Sequence, residues 1–391
     1  MNKNMRYLIL VFVFFSMSIS AQEKQKKIAL EGYVSFMNTN SFDSIKNSWM
    51  IDNQFYNRIN FFYYPTSDFT FTAQLRNRLI YGNSMLLIPN YQNVIGFDYG
   101  IADLSFNAIA EKNLIVNFYF DRLNFKYSKD KWEIQFGRQR VNWGKTFVWN
   151  PNDIFNSYSY FDFDYEEKPG SDALRIQYYT GPASSVELAA KVDNDKNATA
   201  AVKWLINKWN YDIQLIAAEL NQKDYYAGLG WAGNIWKLGF KGEAAYFKPI
   251  LKVDSNVVIS ATASLDYSFN NSFYLMAQVL YTKIPSNSPI QNFESYYSAQ
   301  LSAKYLSFAP WNLFAQASYP ITPLLTSSLA GMYYPQINGF FVSPTFTFSL
   351  AQNVDASIVW QYFKGEFPNM FTGMSQKQQV NMGFLRLKWN F

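Results

Sequence analysis

The residues of this chain best suited to chemistry are fixed charges. Every arginine after Arg6 except Arg386 falls between positions 58 and 175, at Arg58, Arg76, Arg78, Arg122, Arg138, Arg140 and Arg175. Within that interval the stretch Lys145 to Gly170 carries Asp153, Asp162, Asp164, Glu166 and Glu167 among aromatic residues. Acids on a long loop facing arginines on the flanking strands would make a charged constriction of the kind that selects ions and small solutes in a pore. A solvated surface loop kept soluble by its charges fits the same composition. If the loop enters a pore, neutralising Asp162, Asp164, Glu166 and Glu167 together is expected to change conductance or charge selectivity.

Composition removes several other chemistries. The chain has no histidine and no cysteine. The usual general base and the usual metal ligand are therefore both missing, and the expectation is a protein that is not an enzyme and binds no cofactor. Asp162, Asp164 and Glu166 alternate and offer oxygens suited to Ca2+, but a solvated acidic run is the commoner use of such a pattern, and no metal site is expected. Lys3 and Arg6 precede the apolar run Tyr7 to Phe15, and small residues follow through Ala21. This reads as a signal peptide over residues 1–21, leaving 22–391 as one exported domain. Loss of Lys3 and Arg6 lowers the net charge from +5 to +3, too weak an excess for a nucleic-acid partner. The apolar run is too short to span a bilayer as a helix, and no later stretch approaches twenty apolar residues.

The charges must be positioned by strands. Hydrophobic residues make up 49% of the chain and aromatics 19%, yet mean hydropathy is only -0.18, so apolar and polar residues are interleaved. Period two runs through Ile28–Asn38, Gln54–Tyr64, Phe69–Leu79, Trp132–Phe136, Leu174–Tyr179, Val186–Val192, Trp236–Tyr246, Val257–Tyr267 and Phe273–Tyr281. Such runs suit tilted membrane strands of about ten residues. The expected fold is all-β, a transmembrane antiparallel β-barrel of about eighteen strands, with sixteen or twenty as alternatives. Eighteen results if Tyr99–Ala108 belongs to a loop and Tyr296–Tyr319 is one long strand. The long connections 39–53, 82–112, 142–170, 248–255, 284–295 and 364–379 then share one end. Short turns at 65–67, 181–183 and 320–323 share the other, as outer-membrane barrels require. On the last strand Leu385, Leu387, Trp389 and Phe391 share a face. A terminal strand ending on an aromatic resembles the signal by which bacterial barrel assembly machinery recognises its clients.

With apolar faces toward outer-membrane lipid, Arg58, Arg76, Arg78, Arg122, Arg175 and Arg386 point into the lumen and line one wall. Strict alternation puts Arg138 and Arg140 with Trp132, Ile134 and Phe136 on the lipid side, so either a bulge at Gly137 turns them inward, which is the expectation, or they sit above the membrane. A wall zipped shut by pairs with Glu133, Glu187, Asp212 and Glu243 is the structural alternative. Tryptophans and tyrosines near strand ends read as interface girdles.

The segment Gly137-Arg138-Gln139-Arg140-Val141-Asn142-Trp143-Gly144, continued by Trp149-Asn150-Pro151-Asn152-Asp153, resembles a motif in uncharacterised outer-membrane barrels of Bacteroidota-type bacteria that are distantly similar to porins. The resemblance covers about fifty residues. It implies an outer-membrane location, with membrane lipid as partner, and a barrel fold, and says almost nothing of the substrate. Small hydrophilic solutes follow from the channel reading of the charged lumen, and a homo-oligomer is an option because porin-like barrels are often trimers. A closed barrel serving surface polysaccharide or envelope assembly is the competing expectation.

Overall fold

The computed structural model describes residues 27–45, 47, 49–87, 90–157, 167–251, 256–285, 288–292, 295–296, 302–368 and 375–391. The segment read as a signal peptide lies outside these residues, as do Asp162, Asp164 and Glu166.

Nineteen strands join one antiparallel sheet. The first seven are β1 (Ile28–Phe42), β2 (Met50–Tyr63), β3 (Phe69–Gly82), β4 (Ser105–Glu111), β5 (Leu114–Lys129), β6 (Trp132–Gln139) and β7 (Ser171–Gly181). They continue as β8 (Ser184–Val192), β9 (Ala198–Lys208), β10 (Tyr211–Leu220), β11 (Asp224–Ile235), β12 (Leu238–Pro249) and β13 (Val258–Ser268). The sheet ends with β14 (Tyr274–Thr282), β15 (Trp311–Thr322), β16 (Leu325–Tyr334), β17 (Gly339–Ala351), β18 (Val354–Pro368) and β19 (Ser375–Asn390). β1 pairs with β19 from Tyr33↔Asn390 to Phe42↔Asn381, closing the sheet into a barrel. Phe391 lies at this seam, where its N–H donates to Gly32 O at 2.9 Å and its carbonyl accepts from Gly32 at 3.0 Å.

Eighteen strands form the closed wall, the number expected from alternation. On β3, Phe69 and Tyr81 are exposed on the outer face while Arg76 and Ile80 are buried on the inner one, the period-two split of a half-buried strand. Hairpins at one end are tight. Trp209 and Asn210 join β9 to β10 with φ of 56° and 61°, the paired left-handed conformation that matches strand twist. All the long connections lie at the opposite end, here called the loop end.

Two expectations about strands are corrected. Residues 296–319 are not one strand, since β15 begins at Trp311. Its neighbour β14 stops at Thr282, and their pairing begins at Tyr281↔Trp311. Pro310 O still accepts from Thr282 N at 2.9 Å, but the residues ahead of it leave the ladder and bury Leu306, Phe308 and Ala309 in a cluster with Tyr334, Phe363 and Phe367. Period two reports an apolar face, not the presence of a ladder partner. Within the connection expected to be a loop, Ser105–Glu111 forms β4. It pairs with β5 from Ser105↔Tyr119 to Glu111↔Leu114, whereas β6 pairs with β5 only from Leu123↔Arg138 toward the turn end. β4 thus occupies the edge of β5 that β6 vacates.

The interior holds two large apolar clusters and a small one of Ile80, Met85 and Ile115. One joins inward residues of β14 to β19 to Trp149 and to Ile290, Tyr296 and Phe308 of the 283–310 connection. The other joins inward residues of β7 to β13 to Val141, Trp143, Ile154 and Phe155.

Candidate functional site

The site begins where β6 leaves the wall. Pairing through Gly137 is unbroken on both sides, with Asn124 and Ala173 as partners, so the expected bulge is not there. Gly137 instead takes φ +109°, a conformation open to glycine and strained for other residues, and a Cβ there would overlap Leu123 O. Beyond it Arg138 is buried in the wall. Its Nε and Nη2 donate to the two carboxylate oxygens of Asp172 at 2.7 and 2.9 Å, and its Nη1 donates to Asp98 Oδ2 at 2.6 Å. Nη2 also reaches Ala102 O at 2.7 Å, and the guanidinium lies 5.5 Å from the Tyr119 ring centroid.

Residues 140–157 then cross the lumen, held by inward side chains of successive strands. Trp143 Nε1 donates to Glu187 of β8 at 2.7 Å, and Gln214 of β10 donates to Trp143 O at 2.7 Å. Tyr226 of β11 donates to Asn152 Oδ1 at 2.6 Å. The Glu243 carboxylate of β12 accepts the N–H groups of Lys145, Thr146 (3.0 Å) and Asn152 (2.7 Å) and the Thr146 hydroxyl (3.2 Å). Gln278 of β14 accepts from Val148 N at 2.8 Å and donates to Trp149 O at 3.0 Å. The segment has no ladder of its own, so these side chains satisfy backbone groups that burial would otherwise strand.

The return of the insert meets the arginines. A register shift between β3 and β5 at Gln74/Leu75 leaves Asp121 unpaired in the ladder, the local effect of a bulge. Asp121 is buried against Arg58 Nη1. Arg58 also contacts Asn60 at 2.9 Å, Gln74 at 2.7 Å and Glu167 Oε1 at 3.5 Å. Arg122 Nη2 donates to the carbonyls of Glu167 and Lys168 at 2.9 and 2.8 Å, and Tyr33 donates to Glu167 Oε2 at 3.2 Å. Arg78 donates to Asn117 and Ile95 O, and Arg76 lies 5.7 Å from the Tyr119 ring. Arg386, paired in register with Met37, sits on the inward face of β19. The structure therefore brings Arg58, Arg122 and Glu167 together, and Arg140 with Asp153. Arg138 sits apart in the wall.

Toward the turn end, charges alternate across five adjacent strands. Lys126 contacts Glu133 (3.8 Å), Glu133 contacts Arg175, Arg175 contacts Glu187 (3.5 Å), and Glu187 contacts Lys203 (2.8 Å). Two of the four acids expected to pair with arginine do so. Glu243 holds loop backbone instead, and Asp212 accepts from Asn207 at 2.7 Å.

Within the insert, burial pushes the Asp153 carboxyl up to about 7, partly offset by Arg140 Nη2 at 3.3 Å. Burial followed by Arg140 lowers Lys168 to about 8.

Sequence reasoning missed the anchoring roles of Glu243, Gln278, Gln214 and Tyr226. A lone acid or amide among the inward residues of an aliphatic strand was the available signal. It also missed the apolar interior, foreshadowed by Met332, Tyr334, Phe341 and Phe363 at inward positions of β16, β17 and β18.

A closed eighteen-strand sheet with an apolar outer belt, its long connections all at one end, defines an outer-membrane β-barrel. No protein-family model matches the sequence, and no curated protein does. Solved structures do resemble it. OccK8 (OprE) of Pseudomonas aeruginosa is 8% identical, with 93% of this chain and 98% of that one covered and a TM-score of 0.57. OccK11 (OpdR) of the same organism is 10% identical over 93% and 96%, with a TM-score of 0.56. OccAB3 of Acinetobacter baumannii is 9% identical over 93% and 99%, with a TM-score of 0.54. At such identities the likeness is one of fold.

Proposed function

We propose that the protein is a porin-like channel for small hydrophilic solutes, with the 140–170 insert as its constriction. The observation that carries this is the docking of residues 140–157 on the inner faces of β8 to β14, while the insert returns at Glu167 and Lys168 against Arg58 and Arg122. A charged eyelet between an inward loop and a basic wall discriminates solutes by size and sign. Asp162, Asp164 and Glu166 belong to this eyelet on the sequence reading, with Arg76, Arg78 and Arg386 on the wall. Export by the 1–21 segment and recognition of the terminal strand at Phe391 by the assembly machinery belong to the same reading.

One observation favours a second reading, a closed barrel serving surface polysaccharide assembly. The 283–310 connection packs Ile290, Tyr296 and Phe308 onto the inner faces of β16 to β18. Planar-bilayer recording of the purified protein separates the two. The channel reading expects steady conductance and, under a salt gradient, an anion-selective reversal potential. A silent bilayer, with folding verified by heat-modifiable gel mobility, supports the closed barrel.

A further inference from the structure

The outward faces of the strands are not alike. On β5 to β18 the outward positions of the described residues carry no asparagine or glutamine. The seam side carries six asparagines: Asn38 and Asn40 on β1, Asn53 and Asn57 on β2, Asn77 on β3 and Asn381 on β19. Alternation fixes their direction. Ser35 and Met37 of β1 are buried inward, whereas Phe55 of β2 and Leu385 of β19 are exposed on the outer face. Asn38 stands opposite both Asn53 and Leu385, and Asn57 opposite Asn77.

Asn57 lies mid-way along β2. The amides form short chains: Asn40 donates to Asn38 at 2.6 Å, Asn38 to Asn53 at 2.9 Å, and Asn77 to Asn57 at 2.9 Å. Gly383, outward on β19 between Asn381 and Leu385, faces open space, since a Cβ there would touch nothing within 4 Å. Hydrocarbon cannot satisfy amide donors and acceptors, and leaving them to lipid carries a large penalty.

We infer that the outer face of β19, β1, β2 and β3 docks a second copy of this chain in a closed homo-oligomer. Each asparagine carries both donors and an acceptor, so the face is self-complementary in hydrogen bonding and needs no partner of opposite charge. The dent at Gly383 admits a neighbour's side chain, as small residues do in membrane interfaces. This inference is independent of whether the lumen conducts.

The test uses full-length protein in native membranes and in lipid nanodiscs. The chain has no cysteine, so Asn53→Cys, Asn57→Cys, Asn77→Cys and Gly383→Cys are single-thiol probes, with Leu215→Cys on β10 as the control. Bifunctional thiol reagents should link seam-side variants into products of integral multiples of the monomer mass and leave the control unlinked. Native mass measurement should give an oligomer, and N57L/N77L should weaken it by about tenfold or more while keeping heat-modifiable mobility. A monomeric wild type overturns the inference. So does an N57L/N77L oligomer of undiminished stability, or a seam-side cross-link to a different protein.

Discussion

Arg138 and Asp98 lie forty positions apart in sequence, and their side chains meet at 2.6 Å inside the barrel wall. β6 stops early so that the chain can enter the lumen, which opens a breach between β5 and β8. The segment ahead of β4 covers it: Phe120 donates to Leu104 O at 3.0 Å and Asn194 to Tyr99 O at 3.2 Å. Arg138 fastens this cover to β7 through Asp98, Ala102 O and Asp172. Gly100 packs so closely that a Cβ would overlap the guanidinium.

Removing the guanidinium therefore takes from the buried Asp98 and the half-buried Asp172 the cation they share. R138A is expected to cost about 3–5 kcal/mol, the usual penalty for breaking a buried pair. R138K keeps the charge without the planar fork and should fall between the alanine variant and wild type. The heat needed to convert the folded gel band to the unfolded one measures this, and an unchanged conversion temperature for R138A would contradict the role given to the arginine.

Glu243 is the main fastening of the insert, because its two oxygens accept from both ends of the Lys145–Asn152 turn. E243Q keeps the volume but turns an N–H2 group toward one of those backbone donors. Hydrogen bonds to a charged group contribute roughly 1.5–3 kcal/mol each, so the glutamine variant should release the insert while the barrel stays closed. Single-channel records are expected to show larger and noisier conductance than wild type. Identical records would mean that the insert is held elsewhere.

The barrel was legible in the sequence because a wall that faces apolar on one side and polar on the other imprints period two on every strand, as in Phe69 to Leu79. Strand count followed from the rule that long connections share an end. The path of the insert was not legible. Glu243, Gln278 and Gln214 act on backbone atoms of residues about 70 to 130 positions away, and backbone donors and acceptors leave no mark on side-chain pattern. Arg138 failed for a related reason. Alternation assigns a residue to one of two faces, and this arginine lies within the wall under a segment from another connection. Tyr305 to Ala309 misled because burial in the lumen and burial in a sheet produce similar apolar spacing.

The charge row from Lys126 to Lys203 should behave as one unit. Glu133 and Arg175 contact each other directly, so E133Q and R175Q ought to be non-additive. A double-mutant cycle read by thermal conversion of the folded band should give a coupling of about 0.5–3 kcal/mol. Strict additivity would show that these pairs are held apart in solution.

Asp153 should make the insert sensitive to pH. Its ordinary value is 3.8, and burial raises it to about 7 in the folded protein. With the folded value above the unfolded one, its contribution to the docked insert is complete below about 4 and is lost as pH rises through about 7. Lys168 runs the other way. Its value falls from 10.5 to about 8, so its contribution is complete above about 10.5 and is lost as pH falls through about 8. Single variants separate the two. Conductance and open-state noise recorded from pH 4 to 9 should change between about 4 and 7 in wild type and in K168M, and D153N should hold its low-pH behaviour throughout that window. A D153N channel that titrates like wild type would assign the transition to another group.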